Sequence, residues 1–365
     1  MTTSGAPRLI DPVELARGGA APMLDEAGRI REPLVFVDLD CGADLADIAR
    51  AAAVAATGER VLVGVAARHP PRSGMRQLVA ELDVSLVPGG AAETPARELV
   101  GVADPIAEAT AMSALAMANP QAVTVLAGLL RWSGRLSVPA GLDAESLAYS
   151  TLLGGAEFRR WLDRRGRRPR PPRAEADPVL AHRDGALLRI TLNRPERRNA
   201  YGREVRDGLV EALRIAVHDP TVEHILLDGS GRSFSSGGDL DEFGTAPDTA
   251  TAHFVRTRAG AGHLLHRLAD RVEARLHGPC VGAGIELPGF AGRVTATPDA
   301  TFRLPEIAMG LIPGAGGTVS IPRRIGRWRT FYLSVAGLPL GAQDALAWGL
   351  VDSLEARSAA RGRTA

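Results

Sequence analysis

Lysine is absent from this 365-residue chain, so every one of its 43 Lys+Arg positions is an arginine. A P-loop needs its lysine on the nucleotide phosphates, and that route to nucleotide chemistry is closed. Cysteine is nearly absent too. Cys41 and Cys280 lie far apart in sequence and cannot build the disulfide framework of a small secreted domain. No apolar run approaches the ~20 residues that span a bilayer. The start, MTTSGAPRLIDPVEL, lacks the apolar core of a signal peptide. Neither sign of charge is in excess: a net charge of +1 gives no reason to expect nucleic acid as a partner. What remains is an ordinary globular composition, 45% hydrophobic and 23% charged, on a chain long enough for two domains. The expectation is a cytoplasmic enzyme or binding protein, with no nucleic acid and no membrane as partner.

The middle of the chain carries RRWLDRRGRRPRPPRAEADP, residues 159–178, whose dense arginines and prolines cannot build a core and mark a linker. Upstream, PLVFVDLD (33–40) and RVLVGVA (60–66) read as buried strands around a helical ADLADIARAAAVAATG. The stretch 104–130 is alanine-rich and helical with a break at Asn119-Pro120, and 141–165 reads as helix, Gly-Gly break, helix. Downstream, LLRITLNRP (187–195) alternates as a strand, and 201–219 has a helical stripe through Val205, Leu209, Ala212 and Ala216. EHILLDGSG (223–231) is a strand, 249–270 a helical stretch, and RVEARLHG (271–278) another strand. Strand, helix, strand, Gly-rich turn, helix, strand is an α/β order.

Three glycine-containing turns stand at strand ends in the second half: RSFSSGGDLDEF (232–243), VGAGIELPG (281–289) and GLIPGAGGTVS (310–320). Small residues at such junctions let a backbone approach a ligand and leave N–H groups free. Any single turn is a tight connection; three in one α/β unit indicate a shared site. Gly282 and Gly284 begin a dinucleotide-binding G-x-G-x-x-G, but Leu287 occupies the third position, so that reading fails. Glu286 falls in the first turn of a helix, where an acid suits the helix dipole, and Glu306 follows Pro305 in an apolar stretch. Together they form a candidate general acid/base pair whose pKa values would be pushed apart over one shared water. The helical pair His263 and His266 has no third partner in the sequence, so no metal site is expected.

The second half, from about Gly185 to Leu354, resembles the crotonase (enoyl-CoA hydratase/isomerase) superfamily. ITLNRPERRNA is similar to the family's first strand and N-R-P-x-x-x-N-A turn, and RSFSSGGDLDEF to its F-[AS]-x-G-x-D loop. VGAGIELPG is similar to G-G-G-x-E-L, and FRLPEIAMGLIPGAGGT to F-x-x-P-E-x-x-x-G-x-x-P-G-x-G-G-T. The resemblance implies that the backbone N–H groups of Ser236 and Ala283 form an oxyanion hole for a thioester carbonyl. It implies that Glu286 takes a proton from the attacking water, that Glu306 supplies one at Cα, and that the N–H of Gly314 helps fix the water. Arg197 and Arg198 become candidates for the CoA phosphates, with Gly237, Gly238 and Asp239 along the CoA path.

Residues 179–365 are then a crotonase-like catalytic core, 166–178 the linker, and 1–165 an N-terminal α/β domain, a degenerate crotonase-like half with a helical cover. The chain stops soon after DALAWGLVDSLEA, where family members continue with covering helices; 104–165 is similar to that missing region. Pro288 and Gly289 interrupt the helix behind Glu286, so it must begin late or bend. The implied function is hydration of a 2-enoyl-CoA to a 3-hydroxyacyl-CoA, with the CoA thioester as substrate, no other cofactor, and a homo-oligomer (trimer or hexamer). The alternatives are an enoyl-CoA isomerase or other enolate-forming activity, and a non-catalytic CoA-thioester-binding pseudoenzyme.

Overall fold

The computed structural model describes residues 7–20, 22–68, 71–166 and 175–356. Valine- and leucine-rich runs build the first sheet, as expected for parallel strands buried on both faces. It comprises β1 (Leu9–Ile10), β2 (Leu34–Asp38), β3 (Val61–Val65), β4 (Val84–Pro88) and β5 (Leu99–Val102), paired in sequence order and all parallel. Helices α1 (Pro12–Ala16), α2 (Leu45–Thr57) and α3 (Arg76–Glu81) connect the strands. Asp44 starts α2 by accepting from the Asp47 N–H at 2.7 Å. Strand alternation sends Val35, Val37 and Leu62 towards these helices, while Leu34, Phe36, Val61 and Val63 face the other way.

That second face is covered by α4 (Pro105–Ala118) and α5 (Pro120–Ser133), which meet at 108° across Asn119. Pro120 cannot continue α4 but suits the first turn of α5. The two helices of the 141–165 stretch are α6 (Val138–Leu153) and α7 (Ala156–Arg165), separated at Gly154-Gly155. Buried Glu157 of α7 accepts from the N–H groups of Gln121 (2.8 Å) and Ala122 (3.1 Å), capping α5. Most of the Arg/Pro-rich linker, 167–174, lies outside the described residues.

The second half begins with β6 (Val179–Asp184) and β7 (Leu187–Leu192), followed by α8 (Arg203–His218) and β8 (His224–Gly229). The stretch expected as one helix over 249–270 divides at Gly260 into α9 (Thr249–Ala259) and α10 (Gly262–Arg267). A Cβ at Gly260 would lie 2.3 Å from the Arg256 carbonyl oxygen, so the chain turns there on a residue without one. Then come β9 (Val272–Leu276), β10 (Pro279–Val281), α11 (Ala283–Glu286), β11 (Arg293–Ala296) and β12 (Thr301–Arg303). The last elements are α12 (Gly317–Ala336), β13 (Leu340–Gly341), α13 (Ala342–Trp348) and β14 (Ser353–Leu354). Six strands form a sheet ordered β14-β11-β9-β8-β7-β6, parallel except for the β6/β7 hairpin, and β10-β12-β13 form a smaller one. This is the mixed α/β architecture read from the sequence.

One buried cluster runs through both halves. It joins Phe36, Val63, Met112 and Leu126 to Leu213, Ile285, Phe302 and Phe331. Helix α12 carries the junction, packing against α4, α5, α6 and β4. Arg329, only 2% exposed, donates to the carbonyls of Thr94 and Ala96 in the first half, and Trp328 Nε1 donates to that of Ala80. Two carbonyl oxygens offset part of the cost of burying that guanidinium, although its Nε has no partner among the described residues. Among the described residues no single helix is long and apolar enough to cross a membrane.

Candidate active site

Asn199 organises the first of the three turns. Fully buried and at φ 53°, it donates to the carbonyls of Ser230, Ser233 and Phe234 and accepts from the Arg194 N–H at 2.7 Å. One amide thus replaces the backbone partners that a loop away from any strand would lack. The Ser235 hydroxyl donates back to the Asn199 carbonyl at 2.8 Å, and Ser235 bridges to Cys280 beside the second turn. The two turns touch through glycine: a Cβ at Gly237 (φ 85°) would lie 2.4 Å from the Val281 oxygen, and one at Gly284 2.3 Å from that of Ser235.

Contact between the turns decides which N–H groups face the site, and it corrects one expectation. The Ser236 N–H donates to the Arg198 carbonyl at 2.8 Å and has no proton left for a ligand. Tyr201 pairs with Gly238 as an isolated bridge, using Gly237 oxygen and the Asp239 N–H, which leaves the Gly238 N–H without an acceptor among the described residues. Ala283 opens α11, so its N–H has no intrahelical acceptor. Gly238 and Ala283 both line one cavity of about 590 Å³; Ser236 does not.

Three of the carboxylates that line that cavity are buried: Glu286, Glu306, and Glu145 of α6, which the sequence reading did not single out; Asp239, Glu242 and Asp248 line its more open part. The buried three are 2%, 8% and 2% exposed. A Cβ built at Gly282 (φ 50°) would lie 2.6 Å from Glu306 Oε1 and 3.6 Å from Glu286 Oε1, so those two oxygens flank one spot in the second turn. Glu286 Oε2 accepts from the N–H groups of Ala315 (2.7 Å) and Gly317 (2.9 Å). Glu145 accepts from Gly316 N (2.7 Å), Thr318 N (2.8 Å) and Thr318 Oγ1 (2.7 Å). Glu306 Oε2 is buried with no partner.

Burial raises all three carboxylates rather than pushing two apart. Glu306 is pushed up to about 8, chiefly by burial. Glu145 rises to about 7, burial being opposed by the Thr318 and Gly316 donors. Burial lifts Glu286 well above the usual carboxylate range, the charges of Glu306 and Glu145 add to this, and its Ala315 and Gly317 donors oppose it. Three neighbouring carboxylates do not all ionise together. Donors set the order: three serve Glu145, two serve Glu286, and Oε2 of Glu306 has none. With Glu306 protonated, the largest neighbouring charge on Glu286 disappears, and Glu286 is left as the carboxylate facing it.

The remaining walls come from both halves. Leu142, Tyr149, Leu153, Phe158 and Leu162, all on α6 and α7, supply apolar surface. Arg256 of α9 lies 4.5 Å over the Tyr149 ring and donates to Ser146. Gly314 lines the cavity, and a Cβ there would meet the Tyr149 ring at 2.4 Å. Of the residues expected along CoA, Gly238 and Asp239 reach the cavity, whereas Gly237 is packed on Val281 and neither Arg197 nor Arg198 lines it. Arg197 is held by Asp239 (2.7 Å) and Asp241 (3.0 Å), and Asp241 also pairs with Arg165 of α7. The cations of α8 that do line it are Arg203 and Arg206. Among the described residues no group of three or more His, Cys, Asp or Glu side chains is arranged to hold a metal ion.

Comparison with known proteins matches the second half. The family model described as enoyl-CoA hydratase/isomerase covers residues 182–361. The 1,2-epoxyphenylacetyl-CoA isomerase of Escherichia coli (strain K12) is 35% identical over 178 residues, 47% of this chain and 68% of that protein. The 2,3-dehydroadipyl-CoA hydratase of the same strain is 33% identical over 176 residues, 48% of this chain and 68% of that one. A crystal structure of enoyl-CoA hydratase from Thermoplasma volcanium GSS1 is 33% identical, with a TM-score of 0.45 over 50% of this chain and 73% of that one.

Proposed function

Because this chain belongs to the enoyl-CoA hydratase/isomerase family, we propose that it adds water across the double bond of a 2-enoyl-CoA. The observation that carries the reading is the convergence on one cavity of two carboxylates and two N–H groups that have no acceptor among the described residues. Glu286 and Glu306 flank Gly282, beside the N–H groups of Ala283 and Gly238.

The thioester oxygen sits between the N–H groups of Gly238 and Ala283, which gain strength as the enolate charge develops; each such donor contributes ~3 kcal/mol. Glu286, its Oε2 fixed by two N–H groups, uses Oε1 to take a proton from water as the oxygen bonds to Cβ. Glu306, kept protonated by burial, delivers a proton to Cα, and the enolate collapses to the 3-hydroxyacyl thioester. Glu306 Oε2, buried with no partner among the described residues, supports this role, because a bound water or the new hydroxyl would satisfy it. Arg203 is the α8 cation lining the cavity that is available to the CoA phosphates, since Arg206 beside it is paired with Asp207 at 2.6 Å. CoA enters as part of the substrate, and the steps need no other cofactor.

Purified protein with crotonyl-CoA, followed by loss of enoyl absorbance, tests the reading. Glu286→Gln and Glu306→Gln should each lower kcat by roughly 10²–10⁴-fold, the range of a positioned acid or base. A wild-type protein that moves the double bond without adding water is an isomerase instead. One that binds CoA esters and turns over no enoyl substrate is a binding protein.

A further inference from the structure

Glu145 reaches the site from the other half of the chain. It stands at the same helical stripe as Leu142, Tyr149 and Leu152 of α6, a face that is otherwise buried and lacks acid. A fully buried glutamate on such a face is costly unless it is satisfied. Its three donors all come from Gly316 and Thr318, while the two donors of Glu286 come from Ala315 and Gly317. Four consecutive residues thus turn their N–H groups alternately to two carboxylates. Gly316 makes the alternation possible at φ 104°, and α12 begins directly behind it.

We propose that Glu145 is a positioning residue of this active site, pinning the 315–318 backbone so that its other two N–H groups hold Glu286 in line with Glu306. The proposal rests on the hydratase reading for its kinetic consequences, but not for its geometry. A second contact points the same way. Gly310 (φ 71°), which closes the 3-10 turn carrying Glu306, packs so tightly on α7 that a Cβ would lie 2.5 Å from that of Glu157. Helix α6 therefore backs the loop of Glu286, and α7 backs the segment of Glu306.

Charge gives the proposal a signature that a simple helix cap lacks. Glu145 is surrounded by Tyr149 on its own helix, Arg256 from α9, Glu286 from α11 and Glu306 from the 3-10 turn, and Glu306 also faces Arg303. Its negative charge is among the causes that raise Glu286 and Glu306 above the usual carboxylate range. Removing the charge makes Glu306 easier to ionise, so the alkaline limb of the rate profile moves to lower pH.

Two full-length variants separate the contributions. Glu145→Gln keeps the size and removes the charge; Glu145→Asp keeps the charge and withdraws it from its donors. Backbone amide exchange at 315–318, read by mass spectrometry, should quicken in both. With crotonyl-CoA, kcat should fall about 10–100-fold in both while KM stays within about threefold, the pattern of a misaligned but intact site. The alkaline limb should move to lower pH in Glu145→Gln and stay in place in Glu145→Asp. Unchanged exchange at 315–318 in a folded variant overturns the proposal, as does wild-type kcat. A loss of melting temperature and kcat with the limb unmoved in Glu145→Gln reduces Glu145 to a cap and overturns it too. If the wild-type protein hydrates no enoyl-CoA, the hydratase reading fails, and the exchange measurement still decides whether Glu145 holds the loop.

Discussion

The hydroxyl of Ser320 on α12 donates to the backbone carbonyl of Glu286 at 2.6 Å. In a continuing helix that carbonyl would accept from residue 290, but Pro288 ends α11 after one turn and the Phe290 N–H goes to the Leu287 oxygen instead. Ser320 replaces the lost donor. It fits because residue 289 is glycine: a Cβ there would lie 2.7 Å from Ser320 Oγ. The Pro288-Gly289 interruption, which in the sequence puts the aim of Glu286 in question, makes room for a second anchor on Glu286.

Ser320→Ala should leave the Glu286 carbonyl buried and unpaired, costing about 1–3 kcal/mol of stability. Gly289→Ala should push Ser320 aside and reach a similar loss by another route. Combined, the two changes should cost less than their sum, because both break the Ser320–Glu286 bond, while the residue-320 Cβ, 2.9 Å from the new one, still crowds it. Denaturant titration of the single and double variants checks this.

Ala283→Pro removes the N–H proposed to bind the thioester oxygen at a position where proline suits a helix. Melting temperature should stay near the wild-type value while kcat/KM on crotonyl-CoA falls by about 10²–10³-fold. A variant with undiminished turnover would show that the Ala283 N–H is not an oxyanion donor.

Glu306 makes the fold sensitive to pH. Its folded pKa, about 8, lies above its ordinary value of 4.5. Between those two values the unfolded chain gives up the proton and the folded one keeps it, so stability falls as pH rises through that window. Glu306→Gln lacks this group and should gain melting temperature over the wild type as pH goes from 5 to 8. The differential at pH 8 should be on the order of a few kcal/mol. Parallel thermal melts across that range, with the difference flat, would contradict the assigned burial effect.

Much of this site is visible in the sequence because it is made of short local patterns. The glycines of 281–284 and the acids Glu286 and Glu306 sit in contiguous motifs, and the sequence places them together as the structure does. The resemblance implies an oxyanion N–H at Ser236, which the fold commits to the Arg198 carbonyl, because a free N–H depends on which neighbours pair. That is settled by Tyr201 and Arg198, more than 30 residues upstream. Arg197 looks available in the sequence and is committed to Asp239 and Asp241 in the fold. Glu145 has no local motif, since its partners are 171 and 173 positions away. Its one sequence signal is an acid on the apolar stripe of α6, which marks a buried charge without naming what satisfies it. The short strands β10 to β14 also escape a sequence reading, because two to four residues show no usable alternation.

The 173 positions between Glu145 and Thr318 also carry a consequence for synthesis. A ribosome delivers α6 long before the backbone that satisfies its buried acid. Until then the helix carries an unpaired carboxylate among apolar neighbours, so its face has reason to stay hydrated. Contacts of such long range form slowly and favour closure in a late step. The pocket is therefore not a feature of one half to which the other is added. It comes into being only when α12 emerges and both halves close around it.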